Sequence, residues 1–224
     1  MQTPADDTVR TNYCISPFKT GTTFVAGLFP QDVSAHEPLA HCTLTHIDNA
    51  DFLRRRKAML NLRVEASGFF SMIAEEFVQQ NPDDNILFML RDPAAWIGSA
   101  LDYGRKIRQQ VGFSYGRKLY WGRIGVPPLN LFYQSSDQEK QTTIDTMLRF
   151  WLRTYDVARR HDNCHMIKLE DLDQKIDELE DFFGMKAVNA DTAWRRVNKD
   201  RTSISIWDHV SRQDYAPALA EFGY

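Results

Sequence analysis

Lys19-Thr20-Gly21-Thr22-Thr23 is the stretch of this chain best suited to holding an anion. A glycine lets backbone N–H groups come close to phosphate-like oxygens, a following helix N-terminus adds partial positive charge, and a lysine with threonine hydroxyls completes the cradle. A Walker A loop needs its lysine after the second glycine, as in Gly-x-x-x-x-Gly-Lys-[Ser/Thr]. Here Lys19 precedes Gly21, which disfavours an ordinary Mg-nucleotide hydrolase. A polar turn that merely caps a helix is the other reading of these residues taken alone.

Arg91-Asp92-Pro93 closes the apolar run Asn85 to Leu90, and Ser99 stands eight positions beyond Arg91. Eight helical residues make about two turns, so a cation at a strand's C-terminal end and a hydroxyl on the next helix can address one ligand. A strand-ending turn with a local ion pair is the plainer reading of Arg91-Asp92-Pro93 by itself. His36-Glu37-Pro38 offers two candidates for a general base. An unperturbed histidine titrates near neutrality, which favours His36 on pKa alone. Pro38 predicts an extended backbone at Glu37, and neighbours in an extended chain point oppositely, so one of the pair is expected to face a substrate. Local capping is the alternative role for both.

The remaining polar residues suggest less. Arg54-Arg55-Arg56-Lys57 lies in an amphipathic stretch and reads as a solvated face, with contact to an acidic acceptor as the alternative. His41 and His46 have no cysteine or carboxylate cluster around them, so no zinc site is expected. His161 and His165 flank a helix-to-strand turn and read as surface residues. Cys14, Cys42 and Cys164 cannot make a disulfide framework; Cys14 and Cys164 fall in apolar stretches and read as buried free thiols of a reducing cytosol. With 27 Lys and Arg against 30 Asp and Glu, the formal charge is −3, so no global positive field draws the chain to nucleic acid or to an anionic membrane. An anionic ligand must then be held by a local set of donors. Met1 to Arg10 lacks the apolar core of a signal peptide, and no apolar run approaches the ~20 residues of a membrane span, so the expectation is a soluble, cytoplasmic chain without an anchor.

These residues need elements to position them. The chain has 224 residues, of which 43% are hydrophobic, which suits one globular domain over 1–224. Val9 to Ile15 is β-prone and ends at Ser16-Pro17; the apolar stretch through Leu28 follows as a helix. Helical spacing recurs over Phe52 to Leu62, over Ser67 to Gln80 with Ser67 as N-cap, over Trp96 to Gln110, over Asp137 to His161 and over Asp171 to Phe183, where Gly184 stops it. Ile86 to Leu90 is a continuous apolar run of the kind a parallel strand buried on both faces requires, and Cys164 to Leu169 reads as another strand. A second strand is expected to begin near His36. Gly112 to Ser136, rich in glycine and aromatics and without clear periodicity, reads as a substrate loop or lid. Alternating buried strands and helices predict a three-layer α/β fold with a mostly parallel central sheet, like that of P-loop NTPases.

With these elements in place, Ser16-Pro17-Phe18-Lys19-Thr20-Gly21-Thr22-Thr23-Phe24 resembles the 5′-phosphosulfate-binding loop of sulfotransferases that use 3′-phosphoadenosine-5′-phosphosulfate (PAPS), whose pattern is close to Pro-Lys-[Ser/Thr]-Gly-Thr-[Thr/Ser]-Trp. Arg91 and Ser99 are similar to the pair that grips the 3′-phosphate in that family. Lys168-Leu169-Glu170-Asp171-Leu172 resembles its Tyr-Glu-Asp-Leu segment, read as a fold marker. Arg195 to Arg201 occupies the place of its basic loop, which implies Lys199 and Arg201 as 3′-phosphate contacts, although the family's Arg-Lys-Gly triplet is absent. The chain departs from the pattern at Phe18, where proline usually precedes the lysine, and at Phe24, where a tryptophan often stacks on adenine. The resemblance covers Val9 to about Arg201. It implies sulfuryl transfer from PAPS to a hydroxyl or amine of a small-molecule or glycan acceptor, with Lys19 aiding the leaving phosphate, Thr20, Gly21, Thr22, Thr23 and Phe24 binding the donor, and Glu37 or His36 as base. The glutamate has the better position by family analogy. A P-loop-type kinase or hydrolase, or a non-catalytic nucleotide-binding module, are the alternative functions.

Overall fold

Alternation along the strand Ile86–Leu90 shows how the core is built. Ile86, Phe88 and Leu90 join one buried apolar cluster, while Leu87 and Met89 join another, so the strand is covered on both faces. The computed structural model describes residues 10–107, 114–190 and 205–224. Among them the strands β1 (Asn12–Cys14), β2 (Ser34–His36), β3 (Val64–Ala66), β4 (Ile86–Leu90) and β5 (Cys164–Lys168) form one parallel sheet in the order β2-β3-β1-β4-β5.

Helices cover both faces. On one side α1 (Thr22–Leu28) and α8 (Ile176–Phe183) place Val25, Leu28, Leu179 and Phe183 against Cys14, Ala66, Leu87 and Met89. On the other, α4 (Ala74–Gln80), α5 (Pro93–Ile107) and α7 (Asp137–Arg160) bring Phe77, Trp96, Ile97, Trp151 and Tyr155 onto Tyr13, Ile15 and Phe88. The helices α2 (Ala40–Thr45), α3 (Ala50–Leu60) and α6 (Ser114–Arg123) complete the layers. The architecture is therefore the expected three-layer α/β fold. Helix starts and stops follow local chemistry: Ser136 and Glu139 form a capping box at α7, Asp92 accepts from the Ala95 N–H before Pro93 at the start of α5, and Gly184 ends α8 at φ 60°.

Three expectations are corrected. Ser67 does not cap a helix over 67–80; its hydroxyl donates to Glu65, residues Gly68–Ile73 form a 3₁₀ helix, and α4 begins only at Ala74. The short strand β3 just before it carries no readable period, yet it pairs with both β1 and β2. The segment 112–136 is not aperiodic over its described part. It contains α6 and a 3₁₀ turn, Leu129–Gln134, and Tyr120 and Trp121 of α6, with Ile124 just past its end, are buried in the core, a pattern that the neighbouring glycines obscure. Arg56 is not on a solvated face either: it is 4% exposed, because buried Glu65 on β3 pulls it inward, while Arg54 and Arg55 stay exposed. Cys14 is buried, and burial pushes its thiol up to about 12, which makes it unreactive; Cys164 is only partly buried. No described helix is long and apolar enough to cross a membrane.

Candidate active site

The connection from β1 runs to β2 on one side of the sheet, and that from β4 runs to β5 on the other. Between two adjacent strands whose connections leave in opposite directions a crevice opens at their C-terminal ends, the usual ligand position in such sheets. The loop after β1 holds Lys19 and the end of β4 holds Arg91, so both face this crevice.

The loop is held by its carbonyls. Thr20 Oγ1 donates to the Pro17 carbonyl at 2.5 Å, Trp96 Nε1 to that of Phe18 at 2.7 Å, and Arg91 Nη1 to that of Lys19 at 2.6 Å. In a trans peptide the C=O and the next N–H point oppositely. Tying three successive carbonyls to the protein therefore turns the N–H groups of Phe18, Lys19 and Thr20 to the other side, an arrangement suited to anions. Lys19 itself has φ 73°, a conformation a side-chain-bearing residue keeps only where its surroundings enforce it. Gly21 follows at φ 100°, and a methyl group there would lie 2.8 Å from Leu169. The seven-residue α1 is too short to supply much of a dipole, so the cradle rests on these amides and on Lys19.

Packing behind the loop keeps it in place. The Phe18 ring packs on the fully buried Tyr120 at 4.0 Å between centroids, and Tyr120 shares a hydrogen bond with Ser71. Phe18 fits only because residue 68 is glycine: a Cβ there would stand 2.2 Å from Phe18 Cδ1. Arg91 is 6% exposed, and its own carbonyl accepts from Trp151 Nε1 at 3.0 Å. Glu170 accepts from the Asp92 N–H, which links the segment after β5 to the start of α5.

Sequence reading missed Tyr103, whose ring lies under the Lys19 ammonium at 4.1 Å from its centroid. Ser99 is one helical turn before Tyr103 on α5, so it shares the face directed at Lys19. Lys–aromatic stacking between residues so far apart leaves no local signal. Thr20 turns its hydroxyl inward, onto the Pro17 carbonyl. Phe24 is half-buried and packs against the apolar cluster beneath α1. Lys199 and Arg201 lie outside the described residues.

The candidate bases are brought to the same place. Nε2 of His36 lies 3.2 Å from Thr22 Oγ1 and 3.1 Å from Thr23 Oγ1, which puts the end of β2 against the loop. Glu37 is not extended as Pro38 led us to expect. Its φ is 49°, because its N–H still pairs with Ala66 while the Pro38 and Leu39 carbonyls are tied to Arg56 and Thr43. The turn brings Glu37 Oε1 to 3.8 Å from His36 Nε2, so the two side chains lie together rather than opposed. Burial and the positive charge of Lys19 hold the His36 imidazole down at about 4. The neutral-pH advantage expected of His36 is thus lost, chiefly to burial and further to the charge of Lys19. His41, by contrast, is exposed on α2, and His46 stacks on Phe52 at 4.9 Å.

No protein-family model matches the chain, and no curated protein matches it. Among solved structures, the crystal structure of a sulfotransferase from Alicyclobacillus acidocaldarius superposes with a TM-score of 0.51 at 17% identity, over 95% of this chain and 94% of that one. The fold is that of a sulfotransferase. At this identity the relationship is one of architecture, and it extends over nearly the whole length of both chains. Within the sulfotransferase fold, the Lys19 loop, Arg91 and the His36–Glu37 turn all sit at the C-terminal edge of the sheet.

Proposed function

We propose that this chain transfers a sulfuryl group from PAPS to a hydroxyl or amine of a small-molecule or glycan acceptor, releasing adenosine 3′,5′-bisphosphate. The observation that carries the reading is the loop 17–20, whose carbonyls are tied back by Thr20, Trp96 and Arg91 while Lys19 stands at its tip. Its donors are cations, amides and hydroxyls, a set whose chemistry fits a nucleotide bearing a 5′-phosphosulfate and a 3′-phosphate.

In this reading the acceptor oxygen or nitrogen attacks sulfur, the bond from sulfur to the 5′-phosphate oxygen breaks, and the acceptor proton passes to a carboxylate. Lys19 and the loop amides stabilise the charge growing on the leaving phosphate, the kind of fixed electrostatic help that is commonly the largest catalytic contribution. Glu37 is the base. His36, held neutral at working pH, hydrogen-bonds to Thr22 and Thr23 and keeps the loop and the base turn together. Arg91, Ser99, Lys199 and Arg201 address the 3′-phosphate. Thr22 and Thr23, at the first turn of α1, contact the donor with their hydroxyls, and Phe24 offers it the open part of its half-buried ring.

The test is calorimetric titration with adenosine 3′,5′-bisphosphate, with 5′-AMP as control. Micromolar binding that requires the 3′-phosphate and is lost in Lys19→Ala is the expected result. Equal binding of the two nucleotides, or none, would rule the reading out. Activity that EDTA abolishes and only Mg²⁺ restores would point instead to a metal-dependent nucleotide enzyme.

A further inference from the structure

Among the described residues the buried ion pair of Arg56 and Glu65 shares no hydrogen bond with the loop 17–20, yet its hydrogen bonds end on the turn that carries Glu37. Arg56 Nη1 and Nη2 donate to the two carboxylate oxygens of Glu65, each at 2.7 Å, and the pair is 4% and 2% exposed. The remaining contacts are directional. Nη2 also donates to the Pro38 carbonyl at 2.6 Å, Nε donates to Thr43 Oγ1 at 2.7 Å, and Ser67 Oγ donates to Glu65 Oε1 at 2.6 Å. Thr43 passes the constraint on: its hydroxyl and its N–H both donate to the Leu39 carbonyl, at 3.0 and 2.9 Å. Glu37 and Leu39, at φ 49° and 54°, flank Pro38 in a backbone that side-chain-bearing residues rarely adopt, and Leu39 leaves 46% of its surface exposed there.

We infer that Arg56 and Glu65 are positioning residues for the reaction: through Pro38 and Thr43 they hold the 37–39 turn in the strained form that presents Glu37 beside His36. The inference rests on the function proposed above. A buried ion pair contributes little stability over an apolar pair of similar volume, so geometry is what it supplies here. The guanidinium fork suits the task because it is planar and reaches a carboxylate, a hydroxyl and a carbonyl at once. The position of β3 makes the link direct. Ala66 lies opposite Cys14 on β1 and His36 on β2, so the strand bearing Glu65 stands between the donor loop and the base turn.

The double variant Arg56→Met/Glu65→Leu removes both charges and keeps the volume. Against wild type it is assayed for adenosine 3′,5′-bisphosphate affinity, for conversion of PAPS to that product with water and with an acceptor panel, and for the His36 imidazole titration by NMR. We expect nucleotide affinity within about twofold, PAPS turnover lower by about tenfold or more, and a displaced His36 midpoint. A folded double variant with wild-type turnover would overturn the inference. Should the double variant not fold, Thr43→Val decides: a drop in turnover at unchanged nucleotide affinity supports the positioning role, and an unchanged rate removes it. If wild type itself fails to bind the nucleotide, the proposed function falls, and the His36 titration in Thr43→Val then judges the turn alone, an unmoved midpoint being the negative result.

Discussion

Arg91 donates from its guanidinium to the carbonyl of Lys19 at 2.6 Å, so the residue proposed to bind one end of a nucleotide also shapes the loop proposed to bind the other. A buried charge at the end of β4 thereby couples the two halves of the crevice. Removing it therefore disturbs both ends of the site, which removing a mere ligand contact does not.

Arg91→Ala should weaken adenosine 3′,5′-bisphosphate and 5′-AMP together, because the Lys19 peptide loses its partner. Ser99→Ala, which leaves the loop intact, should weaken only the bisphosphate, by about tenfold or more for a hydrogen bond to a charged group. Calorimetry on both variants with both nucleotides checks this. Loss confined to the bisphosphate in Arg91→Ala would show that the carbonyl contact does not shape the loop.

Gly68→Ala tests the packing under Phe18. The added methyl would meet the ring at 2.2 Å, and Phe18 cannot retreat because Tyr120 lies behind it at 4.0 Å. Overpacking of this kind costs about 1–3 kcal/mol, so the thermal midpoint should fall and nucleotide affinity with it. A variant with unchanged stability and affinity would mean that the ring is not held there in solution.

Trp96→Phe keeps the apolar volume of α5 but removes the indole donor to the Phe18 carbonyl. An unpaired buried carbonyl costs about 1–3 kcal/mol. The expected outcome is a moderate loss in thermal stability together with weaker nucleotide binding, since the loop loses one of its carbonyl anchors. Stability loss without any change in binding would restrict Trp96 to the core.

His36 gives a pH signature. Its imidazole is held at about 4, mainly by burial and then by Lys19, against about 6.5 for an unfolded chain. Between these values the unfolded state binds more protons than the folded one, so this residue's contribution to stability is complete above about pH 6.5 and is lost as pH falls toward 4. His36→Gln should flatten the acid limb of the stability profile over that window. Lys19→Ala should move the His36 midpoint upward, as read by NMR. A midpoint near 6.5 in wild type would contradict the buried, positively biased site.

The sequence by itself determined the alternation of strands and helices, the apolar run of β4, the start of α7 after Ser136, the stop at Gly184 and the loop Lys19 to Thr23. All of these rest on neighbours within a few positions, where period, capping and turn chemistry act. Only the tertiary structure decided what depends on residues far apart in the chain. Val64–Ala66 is too short to show a period and became a strand because β1 and β2 offered it partners on both sides. Arg56 read as solvated beside Arg54 and Arg55 until Glu65 drew it inward. Glu37 read as extended before Pro38, yet the carbonyl bonds of Arg56 and Thr43 outweigh that local preference and set it beside His36. Tyr103 reaches Lys19 only because α5 leaves β4 over the same crevice. Local propensities are worth a fraction of a kcal/mol each to about 1, and a few buried hydrogen bonds to charged groups, at about 1.5–3 apiece, exceed them. The parts of a site that such bonds determine appear only when the chain has closed on itself.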